Sequence, residues 1–180
     1  MARTITSVQA FKLNSYLQKY MTNIEYESTF PRETGSALIV LKENEDDVTK
    51  LAQSLQAWFL KLEFKQVVFT FRTDIPLKTK LKNKNTEDAV QYLKNAGLKS
   101  LINGSFLVKV DSMLELTEAL LWLGRRHGQA IYCSGIRKKF VLGISHRNEV
   151  GIFLYQYESG RDLIEKAKES GFKRECLNNE

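Results

Sequence analysis

Two histidines, two cysteines and three groups of basic residues are the side chains in this sequence with chemistry to offer. His127 follows an apolar helical stretch and His146 follows the next pair of strand-like segments, so a strand pair brings both imidazoles to one end of a sheet. Imidazoles titrate near pKa ~6.5 and can both give and take protons. With Arg125, Arg126 and Arg147 alongside, such a pair could cleave an RNA phosphodiester without a metal. Solvated loop histidines are the commoner explanation of the same residues, His127 then sitting compatibly at the negative end of a helix dipole. The expectation is therefore no catalytic residue, with His127 and His146 the only candidates.

The basic residues weigh more. Lys78, Lys80, Lys82 and Lys84 alternate with Leu77, Thr79, Leu81 and Asn83, so an extended backbone would send every ammonium from one face. Arg125, Arg126 and Arg147 form a second group, and Arg137, Lys138 and Lys139 a third, expected at the opposite end of the sheet. Lysines in a row can follow phosphates by releasing counterions, and arginines add directional bonds. The same lysine row also suits an edge strand guarded against aggregation. Phe153, Tyr155 and Tyr157 share a strand face, as do Phe69 and Phe71 with Val67; an exposed aromatic face can stack unpaired bases, although burial in a core is the commoner fate.

Several chemistries find no support. Gly143 and Gly151 are isolated and no Gly-x-x-x-x-Gly-Lys-Ser/Thr loop occurs, which disfavours nucleotide hydrolysis of that type. Histidines at 127 and 146 and cysteines at 133 and 176 lack the paired short spacing of a zinc site, so neither metal nor cofactor is expected. Cys133 in an apolar stretch and Cys176 in a polar tail read as free thiols in a reducing, cytoplasmic setting. Residues 1–11 lack the apolar core of a signal peptide. Apolar runs such as 119–123 fall far short of the ~20 residues needed to cross a bilayer, so no membrane partner is expected.

The elements that must position these groups are legible from capping and periodicity. With 180 residues and 43% hydrophobic composition, the chain can bury a core without metal or disulfide. Five helix starts are expected, each an N-cap acceptor followed by a carboxylate or amide: Thr6 with Gln9, Asn44 with Asp47, Asn85 with Asp88, Ser112 with Glu115 and Ser159 with Asp162. The second carries Val48, Leu51, Ala52, Leu55, Phe59 and Leu62 on one face. The helix after Ser112 is apolar nearly all round and should be the most buried. Gly97 and Gly171 are placed to end helices in the left-handed conformation. Strands are expected at 24–29, 37–41, 66–72, 106–110, 129–134, 139–144 and 151–157, and more weakly at 77–81. Asn103-Gly104 should close a hairpin.

The expected fold class is α+β: an N-terminal helix, then two tandem hairpin-helix-strand-helix units at 24–97 and 98–171 packed as one body, 1–180. The two units read either as copies of one another or as unrelated halves.

Twenty-seven Lys and Arg against 21 Asp and Glu give a formal charge of +6, modest but basic. The leading expectation is a small non-enzymatic protein that contacts the phosphate backbone of RNA or DNA. Its contacts would be Lys78, Lys80, Lys82, Lys84, Arg125, Arg126, Arg137, Lys138, Lys139 and Arg147. The alternative is a protein-binding inhibitor or adaptor, of the kind mobile elements encode, whose lysines meet an acidic surface of a nucleic-acid-handling machine. A metal-independent ribonuclease stands third.

Overall fold

The structure, a computed structural model, describes residues 2–15, 17, 36–41, 47–71, 75–76, 83–97, 101–102, 105–145, 149–154 and 160–175. Their order is β1 (Arg3–Ile5), α1 (Ser7–Leu13), β2 (Ser36–Leu41), α2 (Val48–Lys61), β3 (Gln66–Phe71), β4 (Ile75–Pro76), α3 (Lys84–Asn95), β5 (Leu101–Ile102), β6 (Ser105–Lys109), a 3₁₀ turn at Val110–Ser112, α4 (Leu114–His127), β7 (Ile131–Gly135), β8 (Phe140–Ile144), β9 (Val150–Leu154), α5 (Gly160–Glu169) and β10 (Phe172–Glu175). Eight strands form one antiparallel sheet in the order β1-β6-β3-β7-β8-β9-β2-β10, and β4 pairs with β5 apart from it. The chain is thus mixed helix and sheet with an N-terminal helix, as its sequence implies.

Strand side chains alternate between two cores. Val67, Phe69 and Phe71 of β3 pack with α2, α3, α4 and α5, whereas Val68 meets α1, Tyr132 and Val141 on the other face. The central strands therefore read as continuous apolar runs, since both of their faces are covered. In α2 the expected apolar stripe is buried, apart from half-buried Leu62 after the helix end. Trp58 is also fully buried, its indole N–H donating to the Leu163 carbonyl at 3.0 Å and its ring tilted against Phe172 at 5.7 Å. That bond ties α2 to α5. Helix α4 buries Leu116, Leu120, Leu121 and Leu123, and Gly124 lets it lie close to the returning chain: a Cβ there would stand 2.9 Å from the Gln129 carbonyl oxygen.

Helix starts follow the expected chemistry with shifted residues. Thr6 and Gln9 form the reciprocal capping box on α1. For α2 the cap is Asp47 itself, accepting from the Thr49 and Lys50 amides, because one carboxylate immediately before the stripe suffices. For α3 the cap is Asn83 rather than Asn85. Ser112 does not cap α4: it sits in a 3₁₀ turn that runs directly into the helix, and its hydroxyl turns back to the Lys109 carbonyl. Ser159 and Asn44 lie outside the described residues. Gly97 and Gly171 both adopt positive φ behind their helices.

One expectation fails. Ile102 and Ser105 do not pair across Asn103-Gly104, because Ser105 is already flanked by Ile5 of β1 and Thr70 of β3, while Ile102 pairs with Ile75. Both edges of β6 are taken, so the local turn signal loses to tertiary pairing. The two halves also interleave within the sheet: β6 and β7 flank β3, whereas β7, β8 and β9 separate β3 from β2. Strands expected at 24–29 and 77–81 lie outside the described residues.

Candidate nucleic-acid interface

The register places the three basic groups. Arg125 and Arg126 lie in the last turn of α4, just before β7 begins, and Arg137, Lys138 and Lys139 form the turn where β7 passes to β8. One strand length separates them, as the sequence implies. Arg126 is exposed; Arg125 is half-buried, with its guanidinium 5.6 Å from the centre of the Trp122 ring. His127 is half-buried at the same helix end. His146, Arg147, Lys78, Lys80 and Lys82 lie outside the described residues.

Lys84, the last of the alternating lysines, is the first residue of α3 and not part of an extended run. Its neighbour Asn83 caps the helix by accepting from the Asn85 amide at 2.9 Å, so helix geometry begins before the alternation is complete. A single four-lysine row from 78 to 84 is corrected accordingly.

The end of the sheet that carries the β7–β8 turn gathers cations which the sequence keeps far apart. Val67 pairs with Gly135, and Gln66 with Lys109, so the start of β3, the end of β6 and the β7–β8 turn lie side by side. Exposed at this end are Lys65, Lys109, Arg137, Lys138 and Lys139. Arg3 pairs opposite Leu107, about 7 Å along the strand from Lys109 at two residues per step. Lys12 stands in the last turn of α1, beside the Leu13 carbonyl that accepts from the Arg137 amide at 2.9 Å. Among the described residues at this end, the exposed carboxylates Glu63 and Asp111 stand against these seven cations, a balance of 7 − 2 = +5.

The turn is held from both faces. On the α1 side Asn14, 1% exposed, donates through Nδ2 to the Ser134 hydroxyl at 2.8 Å, the Gly135 carbonyl at 2.9 Å and the Lys138 carbonyl at 3.0 Å. The Ser134 hydroxyl donates across the hairpin to the Phe140 carbonyl at 2.6 Å. On the helix side the Lys138 ammonium lies 4.9 Å from the centre of the Phe64 ring, which stacks on Phe59 and Phe140. Arg137 takes a left-handed φ of 57°, uncommon for a residue with a Cβ, and the surrounding bonds hold it there.

Of the aromatic residues weighed for base stacking, those described lie in the core, the commoner fate. Phe69 and Phe71 are buried beneath the helices, and Phe64 and Phe140 at the basic end are buried as well. The Phe153 side chain, Tyr155 and Tyr157 lie outside the described residues. Cys133 is fully buried on β7, where loss of water pushes its thiol far above the ordinary range. Among the described residues, no helix is long and apolar enough to cross a membrane and no group of three His, Cys, Asp or Glu side chains could hold a metal ion.

Sequence spacing did not reveal Arg3, Lys12, Lys65 and Lys109 as companions of the turn. Each is a single cation at the end of a different element, and only strand order and register bring them together. No protein-family model matches the chain, and no curated protein or solved structure is significantly similar to it.

Proposed function

We propose that this chain is a non-enzymatic nucleic-acid-binding protein that grips the phosphate backbone with the basic end of its sheet. The observation that carries the reading is the convergence of Arg3, Lys12, Lys65, Lys109 and the 137–139 turn from five segments onto one end that, among the described residues, holds two carboxylates. Cations so placed release condensed counterions when they meet phosphates, and the gain needs no base-reading motif. The clamped turn adds to it: three of the cations are held on a backbone that loses little freedom on binding.

Binding to a generic oligonucleotide, followed by fluorescence anisotropy across a salt series, tests the reading. With about six phosphates engaged, affinity should fall about a thousandfold between about 50 and 200 mM salt. A flat response, or no binding at the lower salt, would overturn it. RNA incubated with excess protein and a chelator should stay intact. Cleavage that disappears in both His127→Ala and His146→Ala would replace this reading with a ribonuclease.

A further inference from the structure

The geometry points to duplex nucleic acid, in preference to single strands, as the ligand of the basic end; the inference rests on the proposed function and specifies its substrate. Three observations carry it. The first is the fate of the aromatics. Single-strand binders without sequence preference add base stacking on exposed rings to their phosphate contacts, worth about tenfold or more in affinity per base. Among the described residues, the strand and turn rings at this end, Phe64 and Phe140, are 7% and 5% exposed and stack on one another, and Phe69 and Phe71 face the helices. The Lys138 ammonium lies 4.9 Å from the centre of the Phe64 ring.

The second is charge geometry. From β1 through β6, β3 and β7 to β8 the cations span four strand spacings of about 4.8 Å, about 19 Å in all. Over that length a duplex axis carries about eleven phosphates at one per ~1.7 Å, and one strand about half as many. The denser charge condenses more counterions, so each contact releases about 0.9 of an ion from a duplex and about 0.7 from a single strand. The seven described cations of this end therefore gain more from the duplex.

The third is stiffness. Asn14 and Ser134 fix the turn from one face and Phe64 supports Lys138 on the other, so the cations form a preset surface. A duplex presents phosphates already in place, whereas a single strand must be ordered to match, at an entropic cost.

The intact protein is titrated into a duplex DNA of about 20 base pairs, a duplex RNA of the same sequence and the separate, non-self-complementary strands, over about 50 to 200 mM salt. At least one duplex should bind about tenfold or more tightly than its component strands, with the steeper salt slope of the two. Lys109→Glu and Lys139→Glu, both at exposed positions, should each weaken duplex binding while circular dichroism stays unchanged. The DNA and RNA arms identify which duplex is preferred, and preference for either supports the inference. Single strands bound as tightly as duplexes would overturn it and leave the proposed function standing. Binding to none of the four would overturn both.

Discussion

The side-chain amide of Asn14 donates to the main-chain carbonyl of Lys138 at 3.0 Å, joining residues 124 apart in the chain. The same nitrogen serves Ser134 and Gly135, and the Asn14 Oδ1 accepts from the Leu17 amide. A carboxamide is the one neutral side chain that can donate to several acceptors here while accepting from a backbone N–H. The N-terminal segment is in this way a structural part of the basic turn.

Asn14→Ala should accordingly cost about 2–4 kcal/mol in urea unfolding, since buried carbonyls and an amide lose their partner together. Asn14→Asp should be more telling. A neutral carboxyl can donate one of the bonds, but a carboxylate would face three oxygens, so the folded state raises this group's pKa. Stability of that variant relative to the wild type is then retained at pH below the unfolded value of about 3.9 and is lost as pH rises through the folded value. A pH-independent difference between the two proteins would contradict the donor role.

Gly135 tests the other face of the turn. A Cβ there would stand 2.7 and 2.8 Å from two ring carbons of Phe64 and 2.9 Å from Lys138 Cγ. Phe64 cannot retreat, because Phe59 and Phe140 stack on it at 5.6 and 5.8 Å. Gly135→Ala should destabilise by about 1–3 kcal/mol, and adding Phe64→Leu should recover part of the loss. Strictly additive losses in the double variant would show that the ring is not the obstacle.

The amphipathic helices and central strands were legible because their evidence is local: the Thr6–Gln9 box, the α2 stripe, and the glycines at 97 and 171. Trp58 joined that stripe unannounced, being a large ring with a polar N–H whose partner, the Leu163 carbonyl, is 105 residues away. The Asn103-Gly104 hairpin failed for the complementary reason. Its turn chemistry is good, yet β1 and β3 occupy both sides of Ser105. The basic turn at 137–139 is a run in sequence, so it could be read directly; Lys65 and Lys109 become its neighbours only through the pairing of β3 with β6 and β7.

Cys133 gives a stability prediction at high pH. Burial raises its thiol pKa in the folded state, whereas in the unfolded chain it ionises near pH ~8.5. The contribution is complete below that value and declines as pH rises through it, by up to about 1.4 kcal/mol per unit, because only the unfolded state releases the proton. Tyr92, raised by burial and then by Glu115, acts in the same direction but starts from an ordinary value of 10.0. Between about pH 8.5 and 10, unfolding free energies of the wild type should therefore fall more steeply than those of Cys133→Ala. Iodoacetamide at about pH 8, read by peptide mass mapping, should leave Cys133 unmodified until the protein is unfolded. Rapid modification in the native state would contradict its burial.

The two ends of β7 separate the arginines of α4 from the cations of the turn, and that distance decides which of them a ligand feels. Five residues at about 3.3 Å each put about 17 Å between them, roughly two Debye lengths at physiological salt. A duplex seated on Lys65, Lys109 and the 137–139 turn is thus screened from Arg126, which is exposed at the other end. Arg126→Glu should change duplex affinity by no more than about twofold at about 150 mM salt. Lys109→Glu removes a phosphate contact and adds a repulsive charge, so it should weaken binding about tenfold or more and lower the salt slope by about one. Measured side by side, equal losses would mean that the nucleic acid runs the length of the sheet from one end to the other. A larger loss from Arg126→Glu would move the interface to the end of α4.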